Sequence, residues 1–477
     1  MKVLMFGWEF PPFKTGGLGT ACYGLTRGLK HMGVDVTFVI PKAGDMKAAE
    51  YVKIVGALES HTPHEKIENP VHFELSETLD GMEDADAYGN GACQEEAEDY
   101  SHVRLVHAGV HLSPYSRPIQ YYEVQEKYEH TARNIPSDDV PESSDVGEMN
   151  TSPPNTPQNE DLYGNDLFRG VQDYADKAKT IAAREEFDVI HAHDWMTFKA
   201  GMEAKQVSGK PLVIHVHSTE YDRTGGLGHN PAIYDIEQTG AHQADRIIAV
   251  SNKTKKTIVK NYGIPANKVS VVYNAIDIAE PDDNAVPRSG LKNMVLFLGR
   301  ITVQKGPDYF LEAAARVLEK EPDTIFVMAG NGDMMHRMIE RSADLGIGHK
   351  VLFPGFLKGP AVDTMYEMAD LYVMPSVSEP FGIAPLEAMS HGLPVIISRQ
   401  SGVSEVIRNA LKIDFWDVDA LTKRIVALLR HKRLRSIMGK NGRSEVESLS
   451  WNDSAAQCVG IYKASLKKAQ MPRALAT

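Results

Sequence analysis

The sequence predicts an α/β fold in two domains, each a parallel sheet covered by helices, and three observations carry that expectation. The chain has 477 residues, whereas a single hydrophobic core stops growing at roughly 250 to 300 residues. Short apolar runs alternate with helical patterns, as strands of a parallel sheet buried on both faces do. At 279–293, AEPDDNAVPRSGLKN gathers Pro, Asp, Asn and Gly and loses apolar periodicity before the alternation restarts.

The elements follow in order. Val3 to Phe6 is an apolar run ending at Gly7 and a Gly-rich loop, followed by a helical pattern from about Thr20 to Met32 and a second run at 34–41. Strand, loop, helix, strand is the order of a parallel unit. Further runs at 188–191, 212–217, 246–250 and 269–273 complete the first sheet. Runs at 294–299, 324–330, 350–355, 371–376 and 394–398 form the second, and a helical tail covers about 417–469. The expected division is a first domain at 1–283, a second at 284–455 and a C-terminal helix at 456–477 crossing back to the first. The acidic stretch at 80–99 and the Ser-, Pro- and Asp-rich stretch at 137–161 point to an insertion at about 80–161 within the first domain.

Composition narrows the function. A formal charge of −13 argues against broad binding to nucleic acid, whose phosphates reward a basic surface. Cys22, Cys93 and Cys458 lie far apart and match no zinc spacing, which reads as free thiols in the cytoplasm. Glu9 and Pro11 cut the first apolar run short of a signal-peptide core, and no run approaches the length of a membrane span.

The most specific signal is SVSEPFGIAPLEAMSHGLPVIIS at 376–398, which follows a strand and enters a short helix. It sets Glu379 and Glu387 eight residues apart, with Phe381, Gly382 and Ile383 between them. Free amides at a helix start bind anions, and a glycine lets a phosphate approach the main chain, so a diphosphate belongs near Gly382 to Ala384. Glu379 can then accept from sugar hydroxyls and Glu387 from a ribose. Taken alone, the two can also be a helix cap and a solvated helix residue. The second signal is FLGRITVQKGPDYFLEAA at 297–314, where Arg300 and Lys305 follow a strand end. Residues there face the ligand crevice of a parallel sheet, and two fixed cations offset charge on a departing diphosphate.

With KTGGLG at Lys14 to Gly19 and HAHDWMT at 191–197, these motifs carry a resemblance over nearly the full length. The chain resembles retaining glycosyltransferases of the GT-B fold, and within them glycogen and starch synthase-like enzymes. The resemblance implies two Rossmann-like domains facing each other across a cleft, acceptor side first and nucleotide-sugar-binding side second. It implies that Lys14, Gly16 and Gly17 approach the diphosphate and donor sugar, while Arg300 and Lys305 hold the diphosphate from the second domain. It places Asp194 near the acceptor, His217 on a donor hydroxyl and Asn274 facing the cleft. The implied catalytic set is His217, Arg300, Lys305 and Glu379.

The activity so implied is hexosyl transfer from UDP-glucose or ADP-glucose to an acceptor hydroxyl, elongating an α-1,4-glucan in glycogen biosynthesis, with no metal and no other cofactor. Small-sugar and lipid-linked acceptors stay open. A nucleotide-sugar epimerase on the same scaffold needs no acceptor, and a non-enzymatic carbohydrate-binding protein leaves the cations and paired glutamates without a task. The pairs His191/His193 and His215/His217 each sit on one face of a strand end. They suit packing and hydrogen bonding, or a metal if a third ligand joins them. TGGLG recurs at 224–228, either as a loop at the acceptor side or by coincidence.

Overall fold

The computed structural model describes residues 1–11, 17–41, 55–56, 103–107, 165–226, 228–278 and 293–470. The first sheet contains β1 (Lys2–Phe6), β2 (Asp35–Ile40), β3 (Val55–Gly56), β4 (Val103–His107), β5 (Val189–His193), β6 (Leu212–Val216), β7 (Arg246–Ala249) and β8 (Val269–Val271), ordered β3-β4-β2-β1-β5-β6-β7-β8. The second contains β9 (Asn293–Leu298), β10 (Thr324–Ala329), β11 (Val351–Gly355), β12 (Leu371–Met374), β13 (Val395–Ser398) and β14 (Leu411–Ile413), ordered β11-β10-β9-β12-β13-β14. The neighbouring strands pair in parallel.

Each sheet has a central switch point where its strand order reverses, at β1 in the first and at β9 in the second. Loops leaving the carboxyl ends of strands at such a switch point diverge and open a crevice. The loops after β9 and β12, which carry Arg300, Lys305 and Glu379, leave the second sheet there.

The period-two alternation of a strand sorts side chains between two apolar layers. Val3 and Met5 enter a layer shared with second-domain residues such as Leu296 and Tyr372, whereas Leu4 and Phe6 enter one confined to the first domain. The shared layer is completed by the helix Trp451–Gln470, which lies on the helix Gly17–His31. The approach is close because Gly24 has no side chain: a Cβ there would sit 2.2 Å from the Trp451 ring. Cys22 and Cys458 are free and buried, and Cys93 lies outside the described residues.

The structure departs from expectation in two places. Residues 103–107, inside the stretch expected as an insertion, form β4 and pair with β2 from Val36↔Val103 to Ile40↔His107. That short apolar run stands between acidic and polar segments, which hid it from periodicity. The C-terminal helix starts at Trp451 rather than 456. The expected boundary at 283/284 and the rest of 80–161 lie outside the described residues. Among the described residues, no helix is long and apolar enough to cross a membrane.

Candidate active site

Two loops of the second domain form the charged side of the groove. The first leaves β9 at Gly299 and passes Arg300, Gln304 and Lys305 before the helix Pro307–Leu318. The second leaves β12 and carries Ser376 to Ile383 into the helix Ala384–Ser390. Lys305 Nζ forms an ion pair with Glu379 Oε2, and the Ser376 hydroxyl donates to the same oxygen at 3.4 Å. Arg300 Nη2 donates to Gln304 Oε1 at 3.3 Å, while the amides of Val377 and Ser378 donate to the Gln304 carbonyl at 2.9 and 3.3 Å. One buried glutamine thus ties the cation loop to the glutamate loop.

Glu379 is 6% exposed and Glu387 half-buried. The Tyr366 hydroxyl donates to Glu387 Oε2 at 2.9 Å. Tyr372 lies within reach of both carboxylates: burial first, then the charges of Glu379 and Glu387, push its phenol well above the ordinary range. Gly382 has φ +102°, and a Cβ there would come 3.1 Å from Glu379 Cγ. A side chain would strain the turn and crowd the carboxylate. Among the described residues, the amides of Gly382, Ile383 and Ala384 donate to none. The Phe381 ring is buried against Tyr273, the neighbour of buried Asn274.

The opposite wall is the first domain. Gly17 opens its helix facing Ile383, whose Cδ1 lies 3.8 Å from a Cβ built on that glycine. Lys14 and Gly16 lie outside the described residues. A Cβ on Gly225 of the second TGGLG copy would meet Val377 at 3.4 Å and Val303 at 3.9 Å, so that copy turns against both second-domain loops. Ser251 Oγ donates to the Pro380 carbonyl at 2.6 Å. Glu405 of the second domain accepts from the amides of Asn252 and Lys253 at 2.9 and 2.8 Å, which satisfies donors at the start of the helix Asn252–Tyr262.

At the ends of β5 and β6 the register brings His193 beside His215. With His191 and His217 they form a stack, neighbouring centroids 4.2 to 5.4 Å apart and planes 15° to 30° apart. His193 Nδ1 and His217 Nε2 share a hydrogen bond of 2.9 Å, and His191 Nδ1 shares one of 2.5 Å with the Tyr462 hydroxyl. Burial, reinforced for His191 by His217, lowers the pKa of His191 and His217 to about 3; His193 and His215 are also pushed well below the ordinary value. Asp194 has φ 59° and accepts from the amides of His217 and Ser218 at 2.6 and 3.2 Å. Burial raises its carboxyl to about 7 against the opposing pull of Arg223 and those amides.

The fold therefore supplies the third imidazole that sequence spacing did not show, since ring nitrogens of His191, His193 and His215 lie within 4.8 Å of one another. Near-parallel rings aim their lone pairs alongside one another rather than at one point, which is the geometry of packed neutral imidazoles and a poor one for a shared ion. Sequence inspection also missed Gln304, Tyr366, Asp222, Lys253 and Ser378. Two local helix-start signals bordered them: Thr219 and Asp222 form a capping box, and Ser251, two residues before Lys253, accepts from the Thr254 amide.

Known proteins resemble this chain in sequence and fold. The family described as "Glycosyl transferases group 1" matches residues 280–445, "Glycosyltransferase Family 4" residues 153–280 and "Starch synthase catalytic domain" residues 2–133. An uncharacterised glycosyltransferase of Methanocaldococcus jannaschii is 34% identical over 310 residues, 61% of this chain and 79% of that one. UDP-Gal:alpha-D-GlcNAc-diphosphoundecaprenol alpha-1,3-galactosyltransferase of Escherichia coli is 29% identical over 56% of this chain and 72% of its own. Among solved structures, sucrose-phosphate synthase from Thermosynechococcus elongatus superposes with a TM-score of 0.65 at 18% identity, covering 98% of this chain and 99% of that one. HepE of Anabaena in complex with UDP and glucose gives 0.61 at 16% identity, covering 97% and 100%. With its two facing parallel-sheet domains and its archaeal relative, the chain belongs to the glycosyltransferases of the GT-B fold.

Proposed function

We propose that the protein transfers glucose from UDP-glucose or ADP-glucose to an acceptor hydroxyl with retention of configuration, elongating an α-1,4-glucan. The observation that carries this reading is the Lys305–Glu379 pair, set with Arg300 on two switch-point loops that face the first domain. The likeness of residues 2–133 to a starch synthase catalytic domain supports a glucan acceptor. A cytoplasmic setting fits the free, buried thiols.

In this reading Arg300 and Lys305 hold the diphosphate, with Lys14, Gly16, Gly17 and the amides of Gly382 to Ala384 around it. Glu379, beside its ion pair with Lys305, accepts from sugar hydroxyls, and Glu387, which accepts from Tyr366, also accepts from the ribose. The acceptor oxygen forms its bond to the anomeric carbon on the face from which the diphosphate departs. The sugar–phosphate bond breaks, and a leaving phosphate oxygen takes the acceptor proton. Catalysis then rests on positioning and charge stabilisation. Two fixed cations meet the charge of the leaving group, so turnover is expected to persist in EDTA.

The test offers radiolabelled UDP-glucose and ADP-glucose with and without an α-glucan. The expected outcome is glucan-dependent release of the nucleotide diphosphate and a longer α-linked chain. A sugar isomer still attached to the nucleotide means epimerisation and overturns the reading. The galactosyltransferase relative, named for a lipid-linked substrate, favours a second acceptor class. Transfer to a lipid diphosphate sugar and not to glucan would replace the glucan assignment.

A further inference from the structure

Asp222, Lys253 and Ser378 close a ring of hydrogen bonds at the glutamate loop: Ser378 lies in that loop, and Asp222 and Lys253 reach it from the first domain. Lys253 Nζ lies 2.6 Å from Asp222 Oδ1 and 2.7 Å from Ser378 Oγ, and Ser378 Oγ lies 2.7 Å from the same aspartate oxygen. One assignment of protons satisfies the ring: the ammonium donates to both partners, and the serine hydroxyl accepts from Lys253 and donates to Asp222. Burial pushes the Asp222 carboxyl up, but Lys253 and the hydrogen bonds from Lys253, Ser378 and Thr219 together hold it below the usual range. Its other oxygen accepts from the amide and hydroxyl of Thr219 at 3.1 and 2.7 Å. The aspartate is thus locked within the first domain.

The ring joins unlike parts. Asp222 and Lys253 belong to the first domain and pair with each other whatever the second domain does. Ser378 belongs to the second, one residue before Glu379, and its amide is fastened to Gln304, one residue before Lys305. Separating the domains therefore breaks the serine's two bonds and leaves the ion pair whole.

We propose that Ser378 and Lys253 are positioning residues: they lock the loop holding Glu379 and Lys305 against the first domain, so that the donor site reaches working geometry when the domains are together. This rests on the donor-site reading above. Both bonds of the serine involve a charged partner, the stronger class of hydrogen bond. They hold the closed arrangement and still permit release.

The decisive variant is Ser378→Ala, which spares the Asp222–Lys253 pair and hence the first domain's fold. Its thermal midpoint should match wild type while the donor KM rises about tenfold, the acceptor KM stays put and Ser378→Thr restores the donor KM. Lys253→Met should raise the donor KM as well, and Lys253→Arg should recover part of it. A merely structural role would lower the melting point without separating the two KM values. Small-angle scattering without ligand should give a larger radius of gyration for Ser378→Ala than for wild type. A donor KM within about twofold of wild type in Ser378→Ala overturns the inference. If the wild-type chain turns over no nucleotide-sugar, the donor-site reading has failed instead; scattering then judges the lock, and equal radii overturn it.

Discussion

The two walls of the groove follow opposite electrostatic rules. On the first domain, buried imidazoles give up their charge: His191 and His217 are lowered to about 3, and among the described residues Nε2 of His191 and of His193 and both ring nitrogens of His215 have no hydrogen-bond partner. On the second, buried charge is met by opposite charge, Lys305 with Glu379. Both solutions avoid an isolated buried ion, and the first domain also pairs Arg223 with Glu220 and Glu237 and Lys253 with Asp222, but it is the second that sets Arg300 and Lys305 on loops at a switch point. On the proposed reading, charge stabilisation falls to the second domain. This leaves to the first domain shape, neutral donors and acceptors, and the lock at Lys253.

The largest expected effect comes from removing the charge on the second wall. Lys305→Ala should lower turnover by about 10²-fold or more, by analogy with loss of one transition-state donor, and Lys305→Arg should retain more of it. Steady-state rates decide this, and wild-type-like turnover in Lys305→Ala would take the residue out of the mechanism.

Acid should act on the first wall. For a histidine whose folded pKa lies below its unfolded value, the unfolded chain binds more protons, so its contribution is full above about pH 6.5 and is lost as pH falls towards about 3. Asp194, raised to about 7, works the other way: its carboxylate form is disfavoured in the fold, so it adds stability as pH falls from about 7. Glu237, also raised by burial, acts with Asp194, and the four histidines outweigh the two carboxyls. Calorimetry should show the midpoint falling by about 10 °C or more between pH 7 and pH 4.5. A flat profile would mean the stack is hydrated or already charged, and the contrast between the walls would go.

Tyr462→Phe should do least. It removes only the hydroxyl that meets His191, at a cost of about 1 kcal/mol, or roughly 2–4 °C, with turnover nearly intact. A large loss of turnover would tie the stack to catalysis and blur the division of labour.

Much of this architecture was legible in the chain. Runs such as Val3–Phe6 and 294–299 announced buried parallel strands because a strand's periodicity and the glycines that end it are local. The Glu379/Glu387 and Arg300/Lys305 loops were legible for the same reason, since a residue just past a strand end faces the crevice whichever strands flank it. β4 was not legible, because five residues in polar surroundings give too little pattern. Nor was the stack of four imidazoles: two HxH segments say nothing of register until β5 and β6 lie side by side, His193 against His215.

By itself the sequence determined the alternation of strand and helix, the break between two sheets and the residues that the two strand-end loops carry, all encoded within windows of a few residues. Tertiary structure alone decided who meets whom. Ser378 reaches Asp222 across 156 residues, and Tyr462 reaches His191 across 271. No local pattern specifies such meetings, because they follow from how two separately folded sheets and a returning helix bury their remaining apolar faces against one another.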